Sequence, residues 1–311
     1  MKEILGKDNR FYLMGISILW IIGLHFYMYS ALPADSIWGF LFSKGYIGVD
    51  VFLFLSSYGL CFSYNGNSLC SYYKRRAGRI FPAYMLFVIA TIAAYGETYS
   101  ESPVLLFIYQ CTGLASFRQT DFEWYVPALI VIYALFPLIY RGIKWLYEKN
   151  RYTLIIAAIL LSVCSPWIST IMFPMLASRL SIIVLGIATY LLIQDNDSAS
   201  LYKMYAICAL AAVLFRWGNE PAWTLMVPGI ICLLSLGNSK FPVKKGICFI
   251  GKHSFEIYLA QSFALNQFFL KNDMAYIPKC LIALSIIVSG AFMLWIIQKT
   301  ATGISHNKAN R

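Results

Sequence analysis

Apolar stretches of about 15 to 21 residues recur along nearly the whole chain. A helix needs roughly 20 such residues to cross a bilayer core about 30 Å thick. The sequence therefore predicts an all-α, polytopic integral membrane protein with about ten transmembrane helices. The predicted spans are residues 11–30, 46–63, 80–96, 124–140, 153–172, 179–193, 203–217, 222–237, 253–270 and 278–298.

Composition excludes a soluble protein of this size. Hydrophobic residues make up 59% of the 311 residues and charged residues 13%, and the mean hydropathy is +0.65. Most side chains must therefore face lipid or one another. Because no internal repeat, low-complexity tract or long linker divides the sequence, we predict a single transmembrane domain over residues 1–311.

Basic residues predict the orientation. With ten spans and a cytoplasmic N-terminus, 19 of the 25 lysines and arginines fall on the cytoplasmic side, as the positive-inside rule requires.

The short apolar run at 103–117 is predicted to be an interfacial or re-entrant helix, because a span there would move the basic segment 141–151 outside. Both termini are then cytoplasmic. The net charge of +11 is explained by the positive-inside topology and by contact with anionic lipids. No nucleic-acid partner is therefore expected. The basic residues predicted outside are Lys44, Arg118, Arg179, Arg216, Lys271 and Lys279.

The eight cysteines predict neither a disulfide framework nor a metal site. None forms a C-x-x-C pair and most fall within the predicted spans, where a thiol packs as a small apolar group. No metal cofactor is expected.

Two polar residues lie where the membrane makes them costly. Asp50 interrupts the apolar segment GYIGVDVFLFLSSYGL at 45–60. His25 lies about 21 Å along the first helix from its predicted start at residue 11, and Asp50 about 6 Å in from the same outer face. We expect the two side chains to meet, since a carboxylate beside a neutral imidazole suits a general base. A hydrogen bond between helices without any chemistry is the alternative.

A basic cluster lies at the opposite mouth. The segment YYKRRAGRIFPAY contains Lys74, Arg75, Arg76 and Arg79. Guanidinium groups gathered there suit a phosphate-rich ligand, and a loop that only sets the topology is the alternative.

These two segments resemble the second and third helices of the acyltransferase 3 family of membrane O-acyltransferases. Further segments resemble other elements of that family in the same order, namely MGISILWIIGLHF, FEWYVPALIVIYALFPLIY, SRLSIIVLGIATY and GKHSFEIYLAQSF. The resemblance implies transfer of an acyl group, usually acetyl, from cytoplasmic acyl-CoA to a hydroxyl of an extracytoplasmic acceptor. That acceptor would be a glycan or a lipid-linked saccharide, and the protein would lie in the plasma membrane, which is the inner membrane in a bacterium.

The resemblance and the residues together give a set of expected site residues. His25 and Asp50 are the expected catalytic residues. The expected ligands of the acyl-CoA donor are Arg10, Ser56, Ser57, Arg75, Arg76, Arg79 and Glu256. For Glu256 the alternative is a carboxylate that snorkels to water. The expected acceptor ligands are Glu123, Trp124 and Arg179, for which interfacial anchoring and snorkelling are the alternatives.

The chain departs from the family pattern at three positions, one of which is the glycine of the family's S-G-F sequence, which is missing here where the chain reads Ser56, Ser57, Tyr58. Met14 occupies the place of an arginine, and Arg10, one turn earlier on the same face, could reach part of the same space. Gln261 replaces the last histidine of the GKHSFEIYLAQSF segment. Two other functions stay open, namely a transporter or flippase for a lipid-linked saccharide and, because of Met14 and Gln261, a binding partner without activity in an envelope assembly. The acceptor, the acyl chain and a homo-oligomeric assembly also stay open.

Overall fold

The computed structural model describes residues 5–28, 36–65, 67–99, 102–117, 123–170, 174–215, 220–236, 243–269 and 274–309. Within these ranges the chain is helical and has no strand, so the predicted all-α class is confirmed. The predicted span ends at 30, 172, 217, 237 and 270, and the predicted outer residues Arg118, Arg216 and Lys271, lie outside the described residues.

Fifteen α-helices follow one another in the described ranges. The first seven are α1 Lys7–Met28, α2 Ile37–Ser43, α3 Ile47–Tyr64, α4 Leu69–Tyr95, α5 Pro103–Thr112, α6 Tyr125–Lys149 and α7 Thr153–Val163. The others are α8 Ser165–Ile168, α9 Pro174–Ala177, α10 Leu180–Gln194, α11 Ser198–Leu214, α12 Val227–Leu236, α13 Lys244–Lys252, α14 Ser254–Gln261 and α15 Tyr276–Ala309. Short 3₁₀ helices span Gly96–Thr98, Leu114–Phe117 and Glu220–Met226, and a π-helix, Ser262–Phe269, continues α14.

Six helical segments of the described chain are long and apolar enough to cross a membrane. They are Asp8–Met28, Ile37–Tyr64, Leu69–Thr98, Tyr125–Lys149, Pro174–Gln194 and Tyr276–Ala301, and they coincide with six of the predicted spans. The other four predicted spans fall on shorter or broken helices: α7 with α8, α11, α12, and α14 with the π-helix. The count of ten and the orientation stay predictions.

The apolar run at 103–117 is not one continuous helix. Ser102 caps α5 by accepting a hydrogen bond from the Leu105 amide, and Pro103 takes the first turn, where a missing amide proton costs little. The helix ends at Gly113, which has a φ of +82°, a conformation that favours glycine. The ten residues of α5 are too few to span a bilayer.

Close helix contacts place α3 in the centre of the bundle, between α1 and α10. Glycines allow these approaches, as is common between membrane helices. Gly48 of α3 lies against the Ser17 carbonyl of α1, and Gly186 of α10 lies against Ser57 of α3. On the other side of α1, Gly251 of α13 lies against the Phe11 carbonyl. The helix that carries Asp50, Ser56 and Ser57 is therefore mostly buried.

Candidate active site

A basic cavity lies at the end of the bundle where α1 and α4 begin. Its volume is about 540 Å³. Three arginines contribute to its wall, Arg10 from α1 and Arg75 and Arg76 from α4, so the structure brings these predicted donor ligands together. Its lining residues are Leu5, Arg10, Gly59, Phe62, Ser63, Asn67, Arg75 and Arg76. We call this feature the basic cavity.

Arg75 is held by two hydrogen bonds, whereas Arg10 and Arg76 each have a side-chain nitrogen without a partner among the described contacts. Arg75 donates to the Ser71 hydroxyl at 2.8 Å and to the Ser63 carbonyl at 2.9 Å. The Arg76 guanidinium lies 5.7 Å from the centre of the Tyr133 ring. Among the described contacts, Nε of Arg10 and Nε of Arg76 are buried without a partner. Buried, unpaired guanidinium donors beside a cavity suit a phosphate or carboxylate ligand.

A narrower cavity lies one turn further into the bundle. It has a volume of about 90 Å³. Met14 follows Arg10 by one turn of α1, and Arg79 follows Arg76 by nearly one turn of α4, so the two cavities are lined by the same faces of these helices. Serine and aromatic side chains form most of the remaining wall. The lining residues are Met14, Phe52, Ser56, Arg79, Ile80, Tyr125, Leu129, Tyr133, Ser254, Phe255 and Tyr258.

Glu256 lies beside Arg79, which is one of the residues that line this narrower cavity. The Arg79 guanidinium is 3.5 Å from Glu256 Oε1. Only 1% of the Glu256 side chain is exposed, so this carboxylate does not snorkel to water, and that alternative is wrong. Glu256 Oε2 has no partner among the described contacts. A buried carboxylate with one free oxygen can accept a hydrogen bond from a ligand.

The two adjacent serines of α3, Ser56 and Ser57, differ in position. Ser56 lines the narrower cavity. Ser57 instead donates to the carbonyl oxygens of Leu53 and Phe54 at 2.9 and 3.0 Å and contacts Gly186 of α10. Ser57 is therefore placed in the packing between α3 and α10 and lines neither cavity.

At the other end of α1, His25 contacts Gln261 and not Asp50. His25 Nδ1 is 2.7 Å from Gln261 Oε1. Asp50 instead forms an ion pair with Arg179, in which Arg179 Nε donates to Asp50 Oδ1 at 2.7 Å. The expected pairing of His25 with Asp50 is wrong.

The register between α1 and α3 explains this error. Gly48 lies against Ser17 and Ile21 in antiparallel packing. Asp50, two residues further along α3, is therefore level with Ser17. At 1.5 Å per residue, His25 is about 12 Å further along α1. The sequence estimate placed both residues at one depth, because it took the outer ends of the two helices to be level.

Arg179 makes the acid tolerable inside an apolar helix. Only 8% of the Arg179 side chain and 4% of the Asp50 side chain are exposed, so the snorkelling alternative for Arg179 is wrong. Its NH1 also donates to the Met175 carbonyl at 2.9 Å and to Ser178 Oγ at 3.0 Å. Pairing and further hydrogen bonds are what a buried charge requires.

Glu123 connects α6 to α14 and the π-helix. Its Oε1 accepts hydrogen bonds from the Tyr125 amide and the Tyr258 hydroxyl, and its Oε2 accepts one from Ser262 Oγ, each at 2.8 Å. The neighbouring Trp124 ring lies 5.3 Å from the Arg179 guanidinium.

Contacts therefore connect the predicted residues at this end of α1 to one another. Among the described contacts, His25 is connected to the others only through Gln261 and the neighbouring Ser262. Asp50 pairs with Arg179, Arg179 lies over Trp124, and Glu123 holds Ser262. The next residue back from Ser262 is Gln261, which holds His25. We call this group the polar site.

Three residues that take part in these contacts were not predicted as site residues from the sequence. They are Tyr258, Gln261 and Ser262. Gln261 is fully buried and Ser262 nearly so. The signal was present in the sequence, because polar residues in a predicted span mark a site by the rule that selected Asp50. Gln261 was treated only as a departure from a family pattern.

Comparison with known protein families identifies the family of this chain. The family model described as "Acyltransferase domain" matches residues 12–298. No curated protein and no solved structure matches the chain significantly. The matched range contains His25, Asp50, the polar site and both arginines of α4 that line the basic cavity. The chain therefore belongs to the acyltransferase 3 family of membrane acyltransferases.

Proposed function

We propose that the protein transfers an acyl group, acetyl in the first instance, from acyl-CoA at the cytoplasmic face to a hydroxyl of a cell-surface glycan or lipid-linked saccharide. It would act as a multi-pass protein of the plasma membrane, which is the inner membrane in a bacterium. One observation carries the proposal beyond family membership. The arginine-lined cavity and the histidine lie towards opposite ends of α1, as a donor and an acceptor that enter from opposite faces require.

The donor's phosphates would bind in the basic cavity. Its volume of about 540 Å³ is within the range of roughly 300 to 1,000 Å³ that is usual for ligand pockets. Arg10 and Arg76 would supply charge-assisted hydrogen bonds to phosphate oxygens through their unpaired nitrogens. The thin pantetheine arm would follow the faces of α1 and α4 past Ser56 and Arg79.

His25 would act as the general base on the acceptor. Its Nδ1 is held by an amide oxygen, which can only accept a hydrogen bond. The proton of the neutral ring is therefore on Nδ1, and Nε2 has the lone pair. The acceptor hydroxyl would give its proton to Nε2 while its oxygen attacks the thioester carbonyl. The carbon–sulfur bond then breaks, and the CoA thiolate takes the proton back from His25.

The acceptor residues have different roles in this proposal. Glu123 and Arg179 are buried and already hydrogen bonded, whereas Trp124 is half-buried. Trp124 would therefore contact the acceptor, and its two neighbours would hold the ring in place. Asp50 would serve the site through Arg179, which lies against that ring.

Radiolabelled acetyl-CoA supplied to inverted membrane vesicles from the native host tests this function. We expect label in the glycan or lipid-linked saccharide fraction with the wild-type protein, and none without the gene. Mass analysis of the surface glycans would identify the acceptor. Saccharide movement without label transfer would support the transporter alternative. If neither label transfer nor saccharide movement is observed, a binding role is supported.

A further inference from the structure

A third cavity, which is an apolar groove, lies between α4, α14 and α15. Its volume is about 320 Å³. The hydroxyl of Ser289 in its wall already donates to the Ser285 carbonyl at 2.7 Å. Met293 also lines the groove and is 51% exposed, so the groove reaches the surface of the bundle. Because α4 and α15 belong to segments long and apolar enough to cross a membrane, this surface faces the hydrocarbon of the bilayer. We call this feature the lateral groove.

Small residues from three helices leave the space for the lateral groove. They are Ala90 of α4, Ala260 of α14 and Gly290 of α15. A Cβ at Gly290 would lie 3.3 Å from Ala260 Cβ, so α14 and α15 approach closely here. A space of about 320 Å³ is far larger than the voids of packed protein interiors, which seldom exceed one water molecule. In a bilayer, the occupant that matches an apolar wall is a hydrocarbon chain.

A basic residue, Lys279, lies on the same face of α15 as the lateral groove. Lys279 precedes Ile286, Gly290 and Met293 of the groove wall by 7, 11 and 14 residues, spacings that keep residues on one helical face. It lies about 10 Å beyond Ile286, towards the predicted outer side. The described ion pairs do not include Lys279. An ammonium group above an apolar groove suits a ligand that joins a phosphate to a hydrocarbon chain.

Ring contacts connect Lys279 to the end of α1 that carries His25. The Lys279 ammonium lies 4.6 Å from the centre of the Phe269 ring. Phe269 packs edge to face on Phe26, with the ring centres 6.2 Å apart, and Phe26 directly follows His25 in the sequence. A phosphate bound at Lys279 would therefore lie near the proposed base, separated from the end of α1 by one aromatic ring.

One helical segment separates the lateral groove from the polar site. Leu259, Ala260 and Phe263 line the groove, and Gln261 and Ser262 belong to the polar site. At 3.6 residues per turn these two sets lie on opposite faces of the segment. A chain in the groove would therefore stay in the lipid, and only a polar group attached at its outer end could enter the bundle.

We propose that the lateral groove and Lys279 bind the acyl acceptor as a lipid-linked saccharide. Its hydrocarbon chain lies in the groove, its phosphate pairs with Lys279, and its saccharide reaches His25 from the outer side. This inference rests on the proposed function. It narrows the acceptor to saccharides linked through phosphate to a long hydrocarbon chain, because a glycan without that linkage has neither the chain nor the charge that this surface matches.

Photolabelling of the purified full-length protein tests the binding site. The protein is placed in nanodiscs of phosphatidylcholine, and the probe is a polyprenyl phosphate with a diazirine in its chain. Ala90→Phe fills the groove, and Lys279→Gln removes the cation. The matched controls are Val288→Phe, at a lipid-facing position that does not line the groove and is 71% exposed, and Lys44→Gln, at a lysine that lies over the Phe40 ring.

We expect Ala90→Phe to lower the labelling at least about tenfold, because the probe chain would have to overpack the groove. Lys279→Gln should lower it about threefold to tenfold, since a hydrogen bond to a charged group is lost. Both controls should stay within about twofold of the wild-type protein. A polyprenol probe, which has no phosphate, should label Lys279→Gln and the wild-type protein equally.

Three results would overturn the inference. The first is wild-type labelling of Ala90→Phe, and the second is wild-type labelling of Lys279→Gln by the phosphate probe. The third is complete displacement of the probe by an equimolar amount of phosphatidylglycerol, which would show a site for anionic phospholipid in general. Acetyl-CoA binding by each variant reports correct folding, and the Lys279→Gln comparison keeps the test decisive if Ala90→Phe does not fold.

A transfer assay separates the failure of this inference from the failure of the proposed function. Vesicles that receive radiolabelled acetyl-CoA should yield label in the lipid extract with the wild-type protein and much less with Lys279→Gln. Label that appears only in glycan without a lipid would overturn the inference and leave the proposed function standing. If the wild-type protein binds the probe and transfers no label to any fraction, the proposed function fails, and with it the assignment of this lipid as an acyl acceptor.

Discussion

Arg179 donates a hydrogen bond from Nε to Asp50 Oδ1 at 2.7 Å, across 129 residues of sequence. Both side chains are buried, and the bond joins α10 to the central helix α3. An acid inside an apolar helix is thus explained by a partner on another helix. Because each charge is uncompensated without the other, the pair should behave as one unit.

Asp50→Asn should therefore destabilise the protein strongly. Removing one partner of a buried ion pair typically costs about 3–5 kcal/mol, because the other charge stays buried. The double variant Asp50→Asn with Arg179→Gln should recover much of that loss. Thermal unfolding in detergent of the two single variants and the double variant gives the coupling free energy. A single Asp50→Asn variant as stable as the wild-type protein would contradict the ion pair.

The sequence predicted which polar residues are buried or line a cavity better than it predicted how they pair. Asp50 was predicted because a charged side chain is costly inside a membrane, and Arg75 and Arg76 were predicted because they lie in a basic cluster. Both signals depend only on residue type and local position in the sequence. The partners of His25 and Asp50 depend on the register between α1 and α3. That register is set by the contact of Gly48 with Ser17, which no periodicity in the sequence reveals.

The lengths of the helices were the other feature that could not be predicted from the sequence. Hydropathy located all of the apolar segments but not the breaks within them. Gly113 ends α5, and the change to a π-helix at Ser262 divides the span predicted at 253–270. These breaks depend on single backbone conformations and on tertiary contacts, which a hydropathy window averages away.

Removing two arginines of the basic cavity should weaken donor binding. Arg10→Gln and Arg76→Gln should each lower the affinity for acetyl-CoA roughly tenfold or more, since a hydrogen bond to a charged group is worth about 1.5–3 kcal/mol. Equilibrium binding in detergent would measure this. Lys144→Gln is the control, because Lys144 is half-exposed and pairs with Glu148 away from the cavity wall. Equal effects of all three substitutions would indicate only a general loss of positive charge.

Two glycines of α13 should respond oppositely to alanine. Gly251 lies against the Phe11 carbonyl of α1, where a Cβ would force the helices apart, whereas Gly246 has open space. Gly251→Ala should cost about 1–3 kcal/mol of stability by overpacking. Gly246→Ala should be neutral or stabilising by up to about 1 kcal/mol, because alanine favours the helix. Thermal unfolding of both variants tests this contact, and a stable Gly251→Ala protein would argue against it.

The predicted orientation can be tested with two exposed positions. Glu148 is near the end of α6 and Glu97 follows α4, so the positive-inside assignment places Glu148 in the cytoplasm and Glu97 outside. On a background without the eight native cysteines, an impermeant thiol reagent added to intact cells should label Glu97→Cys and spare Glu148→Cys. The reverse pattern would invert the topology and place the basic cavity outside.

His25 is the residue on which the proposed chemistry depends most. Its Nδ1 is held by Gln261, which leaves Nε2 to take the proton from the acceptor hydroxyl. His25→Ala should therefore lower transfer by at least the roughly 10² to 10⁴ that general-base catalysis supplies. Binding of acetyl-CoA should persist, because the basic cavity lies at the other end of α1.

Two comparisons separate this chemistry from a loss of structure. His253→Ala is the matched control, since His253 lies between α13 and α14 against the Phe249 and Trp295 rings and should matter little for transfer. Asp50→Asn, if inserted, should slow transfer less than His25→Ala, because Asp50 contacts Arg179 and not the base. A correctly inserted His25→Ala protein that binds acetyl-CoA and still acylates its acceptor at the wild-type rate would exclude His25 as the base. In that case the contact with Gln261 would be only a hydrogen bond that joins α1 to α14.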